Sequence, residues 1–426
     1  MSTLIKAGAD DAKRYWLDEG RGDEGGFIRD VDFANNTRGL DPMFEGIKIV
    51  DADTHFTEPA DLWTANAPAG LKDKMPHVEQ VNGADKWVCM GRDFGSLGGN
   101  VIDKNKNKLL GKLAFRRYDQ IAPGSYDVTE RLKDMDDMGI WAHVCFQNGG
   151  VTQAGSLVAL NDQETAVAIF QIYNDACKDR MVQSGGRING MATLPYWDKD
   201  LMNAEMRRIA DLGLKGVVLP DRPERLSEGY LGPDGKINPF WEEVFDLSNE
   251  TGIPLTFHLN ASLDAESVMW DGLGFDQKLP ISALIHNMGC AATMMNFMVS
   301  GLLDRFEKLK IGLIESGAGW VPFILEGLDH QLKEFRTREN RGHKLSCKEY
   351  FQRNFWVSFW FEDFAPKHMI EEIGADRILF ETDYPHPTSL YPGVQDKLVE
   401  VLGGQSPEVR KLILQDNAVK LFNLDL

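Results

Sequence analysis

From residue 127 onward the chain alternates between two kinds of apolar pattern. Segments with apolar residues every third or fourth position, most of them stopped by a glycine, are followed by short unbroken apolar runs. The first pattern predicts amphipathic helices and the second buried strands. On this reading helix 128–138 stops at Gly139 and feeds strand 141–146, and helix 162–183 stops at Gly185-Gly186 and feeds strand 188–194. Helix 201–212 stops at Gly213 before strand 216–219, and helix 239–251 stops at Gly252 before strand 254–259. Helix 301–308 then precedes strand 311–314, helix 321–336 precedes strand 355–360, helix 366–373 stops at Gly374 before strand 378–380, and helix 407–421 closes the chain.

One strong strand comes earlier. The apolar run from Ile47 to Val50 leads into Asp51-Ala52-Asp53-Thr54-His55-Phe56-Thr57-Glu58-Pro59, and a helix with Pro59 in its first turn is expected next. With this strand the total is eight, separated by helices. The expected fold class is therefore α/β, most simply a (β/α)8 TIM barrel. An open doubly wound sheet is the alternative. It is disfavoured because no glycine-rich phosphate loop follows the first strand.

Two stretches break the rhythm. Residues 1–46 are polar, glycine-rich and acidic, and read as an N-terminal arm that packs on the barrel domain (47–426) or on a neighbouring subunit. Residues 70–125 read as a small inserted lid between strand 1 and strand 2, with a hairpin around Trp87-Val88-Cys89-Met90. The insertion carries a basic run, Lys104, Lys106, Lys108, Lys112, Arg116 and Arg117, in which Arg116 or Arg117 is a candidate for meeting a substrate anion. A solvated loop face is the simpler account of most of those charges.

Composition narrows the function classes. Forty-six Lys+Arg against 65 Asp+Glu give a formal charge of −19, which leaves the counterion-release term of nucleic-acid binding little to work with. Five scattered cysteines without a C-x-x-C pair suggest free thiols in a reducing compartment. No signal-like stretch and no run of 18 apolar residues is present, so the expectation is a cytoplasmic protein without a membrane segment.

The chemistry-bearing residues fall at strand ends. Asp53 and His55 are two apart, so they share one face of their strand. Strand five ends in His258, strand six in Glu315 and strand eight in Asp383. In a barrel these ends meet at one mouth. Mixed imidazole and carboxylate donors suit a divalent metal, zinc first and iron or manganese as alternatives, as one ion or two. His386, held between Pro385 and Pro387, is a candidate to orient the turn or touch the substrate. Trp360 belongs to the aromatic run 355–361, which with Met288, Met294, Met295 and Met298 could line a substrate pocket, although core packing is the simpler account. His77, His143, His330, His343 and His368 read as surface or core residues.

Four motifs together resemble the amidohydrolase superfamily: Asp51 to Pro59, Gly301-Leu-Leu-Asp-Arg-Phe306, Glu315-Ser-Gly-Ala-Gly-Trp-Val-Pro322, and Glu381-Thr-Asp-Tyr-Pro-His-Pro387. More narrowly, residues 47–424 resemble its branch of aminocarboxymuconate-semialdehyde decarboxylases, resorcylate-type decarboxylases and related hydrolases. The resemblance implies a metal-bearing barrel with Asp53, His55, His258 and Asp383 as ligands, a small-molecule substrate and a homo-oligomer, such as a dimer. Two departures stand out. The first pair is Asp-x-His where many members have His-x-His. The branch's decarboxylases also carry a histidine at the glycine-rich turn after strand six, where this chain has Glu315.

These departures favour hydrolysis. A metal-activated water would attack a small carbonyl or acyl substrate, with Asp383 or Glu315 taking the proton. His286, in the segment between strands five and six, is a candidate to supply the missing imidazole from a loop. Glu315 could also serve as a second carboxylate ligand bridging two metals. Lys215 could be carboxylated in principle, but its position suggests the start of strand four, away from the mouth. Non-oxidative decarboxylation of an aromatic or unsaturated carboxylic acid is the alternative.

Overall fold

The computed structural model describes residues 27–28, 39–111, 113–258, 265–335 and 344–426. Eight of its strands run parallel: β1 Val50–Phe56, β2 Ala142–Gln147, β3 Ile188–Gly190, β4 Val217–Val218, β5 Leu255–His258, β6 Ile311–Ile314, β7 Phe355–Phe359 and β8 Ile378–Phe380. They form one sheet ordered β1-β2-β3 and a second ordered β4-β5-β6-β7-β8. Single parallel bridges join the sheets at both edges, Ala192 to Val217 on one side and Thr54 to Tyr384 on the other. At the second junction the His55 N–H donates to the Tyr384 carbonyl (2.7 Å) and the Asp383 N–H to the Asp53 carbonyl (3.0 Å). This seam places the first strand's motif beside the last strand's.

The main helices are α1 Val128–Met138, α2 Gln163–Gln183, α3 Lys199–Leu212, α4 Glu242–Thr251, α5 Phe275–Val299 and α6 Val321–Glu334. Asp127, Asp162 and Asp198 each accept a first-turn N–H of α1, α2 and α3. Gly139, Gly213 and Gly252 end α1, α3 and α4 in the left-handed region, as the glycine stops in the sequence suggest. The architecture is mixed α/β. No helix among the described residues is long and apolar enough to cross a membrane.

Several elements differ from expectation. The helix after β1 spans only Leu62–Ala65, behind Asp61, and leaves Pro59 outside it. The helix expected at 301–308 shrinks to Leu302–Arg305, and that expected at 366–373 splits into Phe364–His368 and Ile370–Ile373. Helix Cys347–Asn354 and the 25-residue α5 were not predicted. α5 is apolar around most of its circumference, so no polar stripe marks its period. His286 therefore sits on a helix and not on a loop, which corrects the sequence reading.

Residues 77–95 form a three-stranded antiparallel sheet, His77–Val81, Ala84–Cys89 and Arg92–Gly95, where one hairpin was expected. Of the N-terminal arm, residues 1–26 and 29–38 lie outside the described residues. Phe27–Ile28 pairs antiparallel with Leu109–Leu110 of the insertion. From residue 39 the chain already joins the core: the Gly39 N–H donates to Asp137 O, and Phe44 is fully buried.

Strand alternation divides the core in two. Leu255, Phe257, Ile311, Leu313, Phe355, Val357 and Phe359 pack outward against the helices. Val50, Ala52, Val144, Phe146, Ile314, Trp356 and Leu379 pack with one another inside, together with Leu421 and Phe422 of the last helix.

Candidate metal centre

Alternation alone would leave two of the candidate ligands on the wrong side. Val50 and Ala52 face inward, so simple period two sends Asp51 and Asp53 outward. The pairing of β1 with β2 shifts register between Asp51 and Thr54. Such a bulge re-aims the residues after it. Asp51 stays outside, where its carboxylate accepts from the Thr382 N–H (2.8 Å) and hydroxyl and lies 3.8 Å from His143 Nε2. Asp53 and His55 turn in. Glu315 likewise follows the inward Ile314, but its φ of +53° bends the chain back towards the interior. Asp383 has φ +59°. Non-glycine residues held in the left-handed region are uncommon and gather at functional sites.

The result is a compact cluster. One ligand atom each from Asp53, His55, His258 and Glu315 lie within 4.8 Å of one another, and His55, Asp383 and His386 form a second such group. His258 Nε2 is 3.2 Å from Asp53 Oδ1 and 3.6 Å from Glu315 Oε2. His55 Nε2 is 3.7 Å from Asp53 Oδ1 and 3.5 Å from Asp383 Oδ1. Ligands bonded at about 2.1 Å to one ion sit roughly 3.0–3.5 Å apart, close to these separations. Asp53 Oδ2, His55 Nε2 and Glu315 Oε2 are buried without a hydrogen-bond partner among the described residues. Buried polar atoms are rarely left so unless something else satisfies them.

Electrostatics points the same way. Burial, reinforced by the Asp383 charge, pushes Asp53 and Glu315 well above the usual carboxylate range. Burial pushes His55 well below its ordinary value and His258 down to about 4. Beneath them Glu381, also buried and pushed up, accepts the Glu315 N–H (3.2 Å) through Oε2. A crowd of buried carboxylates with neutral imidazoles lacks a positive charge, and a divalent cation supplies one. Oxygen and imidazole donors in this ratio fit zinc or manganese.

Neighbouring groups hold the candidate ligands in place. His55 Nδ1 lies 2.9 Å from the Gln147 carbonyl, which directs its other nitrogen into the cluster. Arg131, fully buried, donates to the His55 carbonyl (2.6 Å). His386 stacks on His55, and its two nitrogens face Asp383 Oδ1 (2.9 Å) and Asn148 Oδ1 (2.8 Å). The same Asn148 oxygen receives the Gly99 N–H (3.1 Å), while Asn148 Nδ2 donates to Thr57 Oγ1 (2.7 Å). Gly98 to Asn100 of the insertion therefore rest directly on the cluster's rim.

The remaining candidates are placed differently. Arg117 forks onto Asp119 with two bonds (2.8 and 3.0 Å), an exposed pair and not a contact with the cluster. Arg116 is half-buried, with its backbone held by Asp85 and Gln120. Trp360 follows the inward positions 356 and 358; it is buried, and its indole N–H has no partner among the described residues. His286 is half-buried on α5, outside the ligand cluster. Lys215 donates to the Asn423 carbonyl (2.8 Å) at the opposite end of the strands. Of the five histidines read as surface or core, His143 is the buried partner of Asp51, and His343 lies outside the described residues. Asp51, Glu381, Gln147, Asn148 and Thr388, which donates to Asp383 Oδ2 (2.8 Å), were not singled out as site residues. Only Asp51 and Glu381 had a signal, as acidic residues inside the quoted motifs.

The amidohydrolase family profile matches residues 146–424. The chain belongs to that family and is an enzyme. A gamma-resorcylate decarboxylase from Rhizobium sp. (strain MTP-10005) is 30% identical over 269 residues, covering 60% of this chain and 76% of the relative. Among solved structures, an amidohydrolase from Mycobacterium avium subsp. paratuberculosis K-10 superposes with a TM-score of 0.65 at 20% identity, covering 88% of this chain and 99% of that one. A dihydroxybenzoic acid decarboxylase from Polaromonas sp. JS666, with bound manganese and the inhibitor 2-nitroresorcinol, gives a TM-score of 0.55 at 20% identity, covering 88% and 97%.

Proposed function

We propose that this enzyme is a metal-dependent, non-oxidative decarboxylase of an aromatic or unsaturated carboxylic acid, working at the mouth of a closed (β/α)8 barrel. The barrel reading rests on two parallel sheets bridged at both edges and on the family's structural neighbours. The functional reading is carried by one observation, the gathering of Asp53, His55, His258 and Glu315 at ion-sized spacing, with Asp383 joined to them through His55 (3.5 Å). The Rhizobium relative and the manganese-bearing Polaromonas neighbour are both named decarboxylases. They move the preference from hydrolysis to its alternative, and from zinc first to manganese or zinc.

In this reading the five residues hold a single divalent ion. Bound there, a divalent ion would supply positive charge to a substrate carboxylate and an adjacent hydroxyl oxygen. Asp53, His55, His258 and Asp383 fix its position, and Glu315 occupies the place where relatives of this branch carry an imidazole. The Trp360 indole N–H, buried without a partner among the described residues, is assigned in this reading as a donor to a substrate oxygen. Phe146, stacked on His258 with centroids 4.4 Å apart, gives an apolar edge to the pocket. Residues 98–100 form one wall and, with the rest of the insertion, act as a lid that keeps water from the reacting carbon.

Hydrolysis remains the second reading, favoured by Glu315. Its Oε2, without a hydrogen-bond partner among the described residues, lies 3.6 Å from His258 Nε2, where it could take a proton from water. One experiment separates the two: manganese- or zinc-loaded protein incubated with a panel of hydroxybenzoates and with aryl esters and lactones. Carbon dioxide release from a hydroxybenzoate is the expected result. Ester or lactone cleavage with no carbon dioxide across the panel overturns the decarboxylase reading in favour of hydrolysis.

A further inference from the structure

Glu58 stands near the end of the first motif, Asp51 to Pro59, and carries none of the roles assigned above. It lies two residues beyond the end of β1 and is almost fully buried. A carboxylate kept from water needs donors, and here backbone supplies them. Glu58 Oε2 accepts the Gly149 N–H (3.0 Å), and Oε1 accepts the Asn148 N–H at a longer 3.4 Å. Both donors belong to the turn that leaves β2.

The fit leaves no room for a side chain at residue 149. A Cβ there would lie 2.9 Å from Glu58 Oε2 and 3.4 Å from Trp87 Nε1 of the insertion. Glycine lets the backbone come down onto the carboxylate. From the insertion, the Tyr118 hydroxyl also donates to the Glu58 carbonyl (2.6 Å) and fixes the main chain at this residue.

One side chain carries the connection onward to the metal cluster. Asn148 Oδ1 faces His386 Nε2 (2.8 Å), and Asn148 Nδ2 donates to the hydroxyl of Thr57, the residue before Glu58 (2.7 Å). His386 Nδ1 in turn faces Asp383 Oδ1 (2.9 Å), and its ring stacks on His55. Among the described residues no hydrogen bond joins Glu58 to a candidate ligand, so the turn at 148–149 is its route to them.

We propose that Glu58 is a positioning residue for the metal centre, acting through Asn148 and His386. Its carboxylate sets the backbone of Asn148, and Asn148 sets the imidazole that braces Asp383 and His55. Without the carboxylate the turn loses its anchor and the brace loosens. The inference rests on the metal-centre reading, and not on which reaction the centre performs.

The test is a double-mutant cycle read by metal affinity. Full-length wild type, Glu58→Gln, His386→Ala and the double variant are titrated calorimetrically with manganese and with zinc, and melting temperatures are taken alongside. Gln keeps the length of the side chain but turns an NH2 group towards a backbone N–H. Gly149→Ala, alone and with His386→Ala, presses on the same contact without removing the charge, and it completes the cycle if Glu58→Gln does not fold. Glu58→Gln and Gly149→Ala are each expected to weaken metal binding about 10-fold or more. Groups that act along one path are not additive, so neither is expected to weaken binding further once His386 is Ala. Full additivity with His386→Ala overturns the assignment, because a residue that only supports the fold would act independently of the brace. Unchanged metal affinity in both single variants also overturns it. A wild type that binds neither metal overturns the metal-centre reading, and the assignment with it.

Discussion

His386 lies flat against His55, with ring centroids 3.7 Å apart and planes inclined by 16°, while its Nδ1 sits 2.9 Å from Asp383 Oδ1. One side chain thus braces two of the proposed ligands, one by stacking and the other by charge. Removing such a brace commonly weakens metal binding 10–100-fold. His386→Ala is expected to lower manganese affinity by about that factor. Isothermal titration measures it, and an unchanged affinity rejects the bracing role.

The insertion touches this brace through glycine. A Cβ on Gly99 would lie 2.7 Å from His386 Cδ2, and one on Gly98 would lie 2.3 Å from the Asn148 carbonyl at a φ of +92°. Gly99→Ala is expected to displace an imidazole that has some room, costing activity and metal affinity more than stability. Gly98→Ala meets rigid backbone in a strained conformation and is expected to cost about 1–3 kcal/mol of stability. Thermal melts and metal titration of the two variants check this contrast; equal behaviour would contradict it.

Glu315 crowds against Asp53 and Asp383, whose charges help push it up. Without a cation this crowding is repulsive. Glu315→Gln is expected to raise the melting temperature of chelator-treated protein and to shrink the further rise on adding manganese. A manganese-induced rise as large as that of the wild type would remove Glu315 from the ligand set.

pH acts on the metal-free protein with a definite sign. Burial pushes Asp51 from its ordinary 3.8 up to about 7, and Asp53, Glu315 and Glu381 also move up. The folded state therefore holds protons that the unfolded chain has released, so stability falls as pH rises. The window opens near the ordinary carboxylate value and, for Asp51, closes above about 7. Chelator-treated protein is expected to resist urea less well at pH 8 than at pH 6, and bound metal to shrink the difference. Greater resistance at pH 8 without metal would contradict the account.

Much of the side-chain cluster was readable because its members end apolar runs. Strand β6 matched its predicted bounds, and β8 did as well. What stayed hidden depended on departures from regular periodicity. The bulge that separates Asp51 from Asp53 and the left-handed turn at Glu315 leave no trace in a hydrophobic pattern. α5, apolar nearly all round, showed no helical stripe, so His286 was assigned to a loop. The partners of Asn148 come from residues 57, 99 and 386, and such long-range convergence cannot be read locally.

Anomalous scattering at the metal edge, from crystals grown with manganese, tests the central claim most directly. The account expects one strong peak at about 2.0–2.3 Å from Asp53 Oδ1, His55 Nε2, His258 Nε2 and an Asp383 oxygen, with Glu315 in the same shell. A peak elsewhere, or none between those side chains in manganese-saturated crystals, would contradict it.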